Sequence, residues 1–249
     1  MVDVGFKTDK GLRRSNNEDA CYVLKKARVF IVADGVGGNN SGEFASRTCV
    51  DEIANYVETH DVNALKNEDD IKAFFEDCIK NANYKILELS QRHEENRGMA
   101  TTVVVAFLKK SKLYVFNIGD SRAYILHDGE LRQITEDHTY VNSLVKAGLI
   151  TEEEAETHEN RNMITRAVGV DHRVETDFFV ETISTGDRIL LCTDGLYGEM
   201  KKSELIELLC QEKTMIDICE DLVETANNNG GSDNITLVVA DITEEDIDE

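Results

Sequence analysis

Hydrophobic positions along this chain switch between a period of two and a helical period, and the switches divide it into blocks. Residues 2–33 read as strands broken by turns. A turn falls at Lys10-Gly11, a strand spans Ala20 to Leu24, and Val29-Phe30-Ile31-Val32-Ala33 is the unbroken apolar run of a strand buried on both faces. From a Ser41 cap, Phe44, Ala45, Cys49, Ile53, Tyr56 and Val57 recur at helical spacing over about four turns. A second helix opens at Asp69-Asp70, and Ile71, Phe74, Phe75, Cys78, Ile79, Ala82, Ile86 and Leu89 mark its inner face. Period two returns over Thr101 to Leu108, Leu113 to Ile118 and Arg122 to Leu126, with a hairpin turn at His127-Asp128-Gly129-Glu130. Strands resume at Val174 to Val180 and Asp187 to Cys192. A helix over Ser203 to Cys210 follows, then one with Ile216, Cys219, Leu222, Val223 and Ala226 inside, and a last strand, Ile235 to Asp241.

Between the third and fourth of these blocks, Asp137 to Thr165 is polar and short-helical, with Glu152-Glu153-Glu154 in its middle. A polar insertion of that length in a compact unit is a functional loop or flap. The helices come as segregated pairs between runs of strands, which excludes a doubly wound parallel sheet. The pattern predicts an α+β fold, a four-layer α/β/β/α sandwich of two antiparallel sheets flanked by helix pairs.

Composition narrows the function without naming it. At 249 residues with no linker or repeat, 1–249 reads as one domain carrying an insertion at about 137–165. A net charge of −22, from 27 basic and 49 acidic residues, argues against nucleic acid and anionic membranes as partners. The six cysteines are scattered, several at apolar positions, and read as reduced core thiols of a cytoplasmic protein. The N-terminus lacks an apolar signal segment and no run reaches membrane-spanning length. The acidic stretch from Thr243 to Glu249 is expected to fray.

Candidate chemistry lies at the strand ends. The run ending at Ala33 leads into Asp34-Gly35, Tyr114 to Ile118 into Gly119-Asp120-Ser121, and Ile189 to Thr193 into Asp194-Gly195; Gly230-Gly231-Ser232-Asp233-Asn234 precedes the last strand. Singly, Asp-Gly is ordinary turn chemistry. Four such carboxylates brought together would repel, and a shared cation relieves that; all-oxygen ligands suit Mg²⁺ or Mn²⁺ better than Zn²⁺. Arg14, in the polar segment Arg13 to Asp19, is either a surface residue beside an Asn-rich turn or a bidentate phosphate ligand, and its spacing does not choose. The glycines after Asp34 lack the G-K-[ST] of a nucleotide loop, and no cysteine has an arginine six positions later. Of the histidines, His138 beside Asp137 is the one placed to matter.

Seven segments, in order, resemble the metal-dependent serine/threonine protein phosphatases of type 2C in their compact bacterial form. They are Arg14 to Asp19, Ala33 to Gly38, Met99 to Thr102, Asn117 to Arg122, Thr165 to Gly169, Thr193 to Leu196 and Gly231 to Asn234. The resemblance runs nearly end to end and implies the same sandwich. It implies that Asp34 bridges two Mn²⁺ or Mg²⁺ ions, with the Gly35 carbonyl on one and Asp194 and Asp233 on the other. Glu18 and Asp19 would hold metal-bound waters or complete the shell, Asp120 would serve a looser third ion with Asp194, and Arg14 would bind the substrate phosphate. Asp34, Asp19 and Arg14 form the implied catalytic set, with a metal-bridging hydroxide attacking phosphorus.

The implied activity is hydrolysis of phosphoserine and phosphothreonine on proteins by a monomer opposing a serine/threonine kinase. One alternative is a phosphatase of one dedicated partner-switching phosphoprotein, and another a silent module reading phosphoproteins through Arg14 and the insertion. Two positions depart from the family pattern. Val36 stands where many eukaryotic relatives have a histidine, leaving a metal-bound water as the proton donor, and Ala100 replaces the usual glycine.

Overall fold

Strand alternation, continued on both faces of each sheet, builds the layers. The computed structural model describes residues 2–38 and 41–248. In chain order the elements are β1 (Asp3–Asp9), β2 (Asp19–Leu24), β3 (Val29–Val36), α1 (Ser41–Thr59), α2 (Glu68–Arg92), β4 (Ala100–Thr101), β5 (Val103–Lys109), β6 (Lys112–Ile118), β7 (Arg122–His127) and β8 (Glu130–Gln133). There follow α3 (Tyr140–Lys146), α4 (Glu152–Glu156), β9 (Asp177–Thr182), β10 (Arg188–Cys192), α5 (Asp194–Tyr197), α6 (Lys202–Leu209), α7 (Met215–Asn229), β11 (Ile235–Asp241) and α8 (Glu244–Asp248). One sheet runs β1-β11-β10-β7-β8 and the other β2-β3-β5-β6-β9, with β4 paired to β3. The pairings are antiparallel.

β3 shows how one apolar run serves two cores. Val29, Ile31 and Ala33 pack with Ile53 of α1 and Phe75 and Ile79 of α2, whereas Phe30 and Val32 point between the sheets at Val104, Ala106, Ile125, Leu191 and Val238. A third core joins Leu190, Cys192, Leu237 and Val239 to Leu205, Leu209, Ile218 and Leu222 of α6 and α7. The result is the expected α/β/β/α order, and the unbroken hydrophobicity of these strands follows from burial on both faces.

The structure corrects several sequence-based expectations. β3 does not stop at Asp34. It continues to Val36, because Gly35 and Val36 pair with Thr101 and Ala100 of β4. β9 begins at Asp177, leaving Val174 before it. Ile216 is exposed because α7 turns Met215 and Ile218 inward instead, and Phe44 is also exposed. Cys210 is exposed while Cys49, Cys78, Cys192 and Cys219 are buried. The cap of α2 is Asn67, whose side chain accepts from the Asp70 amide at 2.8 Å, with Asp69 and Asp70 inside the first turn.

The acidic stretch at 243–248 folds as α8. Its Asp246 accepts from the Thr243 amide at 3.0 Å and hydroxyl at 2.6 Å, Arg28 donates to the Asp246 carbonyl at 3.0 Å, and Ile247 packs on the inter-sheet core. Glu249 lies outside the described residues. Among those described, no helix is long and apolar enough to cross a membrane.

The polar segment 137–165 is closed at its base. Thr139 and Ile164 form an antiparallel bridge, Thr165 donates its amide to the His138 carbonyl at 2.7 Å, and His138 donates its own to the Gly119 carbonyl at 2.9 Å. Its two ends therefore meet beside the β6–β7 loop, which carries Asp120.

Candidate active site

Register puts the first two acids together. In the β2–β3 pair Asp19 lies opposite Asp34. Directly opposed like charges weaken a sheet, so the pair calls for a compensating cation. Asp34 is fixed through its backbone: its amide donates to Thr102 Oγ1 at 2.9 Å, and its carbonyl accepts from the Thr102 amide and the Thr101 hydroxyl, each at 2.8 Å. Asp19 Oδ2 accepts from the Thr193 hydroxyl at 2.9 Å.

The remaining acids arrive on loops that only glycine lets approach. A Cβ on Gly35 would stand 2.0 Å from the Gly42 carbonyl oxygen and 2.5 Å from that of Glu18, and a Cβ on Gly195 would stand 1.9 Å from the Asn234 carbonyl oxygen. The first contact presses the end of β3 against the start of α1. The second brings the Asp194 turn onto the loop of Asp233. Asn234 ties these to the N-terminal segment: its Oδ1 accepts from the Glu18 amide at 2.8 Å, and its Nδ2 donates to the carbonyls of Lys10 at 2.8 Å and Asn16 at 2.9 Å. Arg14 reaches across to donate to Asp233 Oδ2 at 2.5 Å, and Asp233 Oδ1 accepts from the Asn234 amide at 2.8 Å.

Five aspartates therefore share one field. Burial, then Asp19, Asp194, Asp120 and Asp233, hold the Asp34 carboxyl well above the usual carboxylate range. Burial chiefly pushes Asp19 up to about 8, against the hydrogen bonds from Thr236 and Thr193. Burial and the charge of Asp194 take Asp120 to about 7. Asp194 rises to about 6 through burial and Asp233, with Arg14 opposing. Glu18 stands slightly apart. Its carboxylate accepts from Asn16 Nδ2 at 3.2 Å, and its backbone does the positioning, accepting from the Gly35 amide at 3.1 Å and the Ser46 hydroxyl at 2.5 Å.

The donor set fits a hard divalent cation. Asp194 Oδ1 is buried with no hydrogen-bond partner, an oxygen left free for a ligand. Among the described residues no three acids, cysteines or histidines already converge on one point. Spread carboxylates suit Mg²⁺ or Mn²⁺, which keep several waters and take few protein ligands, and not the closed cage of a structural zinc.

A pH dependence follows. Unfolded aspartates titrate near 3.8, whereas the folded protein holds protons on Asp194 and Asp19 up to about 6 and 8. Between these limits the folded state binds more protons than the unfolded one, so stability of the cation-free protein falls as pH rises. Thermal melts in chelator are expected to show Tm falling from about pH 5 to about pH 8, whereas with Mn²⁺ they stay nearly level. Mn²⁺ added to a weakly buffered solution near neutrality should release protons. A Tm in chelator that stays level over this range would show that the acids are ionised without a cation.

The sequence profile of protein phosphatase 2C matches residues 12–239. The chain belongs to the protein phosphatase 2C family. Among its relatives, the serine/threonine phosphatase Stp of Listeria monocytogenes serotype 4b is 37% identical over 245 residues, covering 96% of each chain. The crystal structure of the serine/threonine phosphatase Stp1 from Staphylococcus aureus superposes with a TM-score of 0.90 at 36% identity, covering 97% of this phosphatase and 95% of that chain. The catalytic domain of the serine/threonine protein phosphatase PstP, solved with 2 manganese ions, superposes at 0.85 with 35% identity, covering 98% of this chain and 99% of that one.

Two positions singled out in the sequence acquire a setting in the phosphatase. Val36 is exposed at the end of β3, and Ala100 pairs with it, buried, in β4. His138 is buried. Its Nδ1 accepts from the Gly119 amide at 3.0 Å, which leaves the proton on Nε2, 3.2 Å from Asp177 Oδ2. Burial, foremost, lowers its pKa despite that carboxylate. It ties the base of the 137–165 segment to the Asp120 loop. Thr101, Thr102, Thr193 and Asn234, which hold the acids in place, lay inside the matched segments without an assigned role. Their hydroxyls and amide were the only sequence signal.

Proposed function

We propose that Asp34, Asp19, Asp194, Asp233 and Asp120, with the Gly35 carbonyl and Glu18 beside them, form the metal-dependent centre of this serine/threonine phosphatase. Within it, Arg14 captures the substrate phosphate. The observation that carries this is the facing pair Asp19 and Asp34, ringed by the buried Asp120 and the half-buried Asp194 and Asp233. Mn²⁺ or Mg²⁺ on such oxygens activates water and offsets charge on a phosphoryl group. The protein's own part is to hold the acids rigidly. Thr101 and Thr102 fix the backbone of Asp34, and Thr193 orients Asp19. Arg14, held at one nitrogen by Asp233 and half-exposed, keeps its other donors for the phosphate. Its charge also lies close to Asp34 and Asp194.

The protein acts on phosphoprotein substrates, and the reading extends to a monomer that opposes a serine/threonine kinase. The whole chain forms one catalytic unit in which residues 137–165 act as a flap over the bound phosphopeptide. Its closed base and polar helices support that role, because the metal centre itself recognises only phosphate.

One set of assays tests both parts. With Mn²⁺ the protein should hydrolyse phosphoserine and phosphothreonine peptides and stop in excess EDTA. Replacing Tyr140 to Asn160 by a short Gly/Ser linker should spare a small aryl phosphate yet flatten the ranking among phosphoserine, phosphothreonine and phosphotyrosine peptides. Full activity in EDTA would overturn the metal centre. A folded, shortened enzyme with the parent's ranking would overturn the flap.

A further inference from the structure

Two residues beyond Asp120, Arg122 is enclosed by groups that match a guanidinium. Its Nε donates to Asp137 Oδ1 at 3.0 Å and Oδ2 at 3.1 Å, Nη2 donates to Oδ2 at 2.6 Å, and Nη1 donates to the Tyr124 hydroxyl at 3.0 Å. The ring of Tyr197 covers it, with the guanidinium carbon 3.5 Å from the ring centroid. Tyr197 in turn donates its hydroxyl to the backbone carbonyl of Asp120 at 3.0 Å. Tyr197 closes the four-residue helix α5, and Asp194 opens it.

Three pieces therefore meet on one cation: the loop of Asp120, the helix of Asp194 and the root of the flap at Asp137. An arginine in such a nest could serve stability alone. Two observations take it further. The tyrosine hydroxyl grips the main chain of Asp120 itself, and not some neighbouring core group. The ring that covers Arg122 also belongs to the one-turn helix that Asp194 opens, so one short turn carries both the platform on Arg122 and the second carboxylate. The opposite side of the loop is braced too, by Ser121 Oγ against Thr102 Oγ1 at 2.7 Å and by the two bonds between Gly119 and His138. With those braces in place, the Tyr197 bond sets the remaining freedom of Asp120 with respect to Asp194.

The geometry points to Arg122 and Tyr197 as a positioning pair that holds the Asp120 carboxylate against Asp194, so that the two present a joint site for an outlying divalent cation. The inference rests on the reading of Asp120 as a metal ligand. Arg122 supplies a planar, two-pronged grip on Asp137 and a flat face for the Tyr197 ring, which a lysine cannot reproduce. Tyr197 converts that fixed platform into a fixed carbonyl.

Mn²⁺ titration by calorimetry on the full chain tests it, with Tyr197→Phe, Arg122→Lys and Asp120→Asn. Tyr197→Phe keeps the ring and removes one hydrogen bond. The weakest Mn²⁺ step should weaken about fivefold, the value of one such bond, while the tighter steps hold. In kinetics the half-saturating Mn²⁺ concentration should rise by the same factor, with kcat recovered at high Mn²⁺ and KM for substrate unchanged. Arg122→Lys should shift the weak step further.

A contact with only a structural role would lower Tm and leave the isotherm in place, and that result overturns the proposal. So does a parent isotherm without a weak step. If Asp120→Asn leaves the weak step intact, the metal reading of Asp120 fails, and the pair with it. If Asp120→Asn abolishes the step while Tyr197→Phe leaves it unmoved, only the pair fails. Should Arg122→Lys not fold, Tyr197→Phe decides alone, because it deletes a single oxygen.

Discussion

Asp34→Asn is expected to abolish turnover while leaving the fold in place. The substitution conserves size, and the bonds that fix residue 34 run through its backbone to Thr101 and Thr102, so β3 and β4 stay paired. What disappears is the central charge of the cluster, faced by Asp19, Asp120, Asp194 and Asp233. Bound cations contribute several kcal/mol to stabilising a phosphoryl transition state, so their loss should cost on the order of 10³-fold or more in kcat/KM. Removing one of several repelling acids should also raise Tm in chelator, which separates this loss from unfolding. Kinetics on a phosphothreonine peptide at high Mn²⁺, beside melts with and without chelator, provide the check. Activity within tenfold of the parent would mean that Asp34 is not the hub.

The second large effect falls on substrate capture. Arg14→Ala should raise KM and the inhibition constant for inorganic phosphate together, with kcat much less changed. A charge-assisted bidentate contact contributes roughly 1.5–3 kcal/mol, or about 10- to 100-fold, and solvent around a half-exposed side chain places the effect toward the lower end. Losing the contact with Asp233 adds a second signature, since a guanidinium and a divalent cation compete for that carboxylate. Initial-rate kinetics with phosphate as inhibitor measure the pair of constants. If neither moves, Arg14 is only the partner of Asp233.

The layers were legible because burial on both faces leaves a mark: Val29 to Ala33 and Val103 to Leu108 have no polar break, and the α1 and α2 faces repeat at helical spacing. The end of β3 was not, because Asp34 and Gly35 are poor strand residues and only their partner, β4, keeps the chain extended. The helix α5 is four residues long, too short for any periodicity to show. In α8 the dense charge hid the contact of the half-buried Ile247 with the core and the capping by Asp246.

At the site, the order of the aspartates was readable but their meeting was not. The opposition of Asp19 and Asp34 depends on hairpin register, and a slip by one residue would send one of them to the other face. Arg14 illustrates the same limit. Alternation could not decide its direction, whereas the loop around it turns the side chain onto Asp233. Arg122 and Tyr197 lie within or beside the matched segments, yet only distance reveals that they embrace the same loop.

β11 is an interior strand of its sheet, between β1 and β10, and the residue just before it, Asn234, joins Lys10, Asn16 and Glu18. A ribosome delivers that strand after everything it must be threaded between. Until it emerges, the growing chain holds Asp19 and Asp34 but lacks Asp233 and the amide that locks the N-terminal segment over them. Asp233 and Asn234 enter only with β11, so a chain that stops short of it lacks two of the residues that the proposed centre draws together.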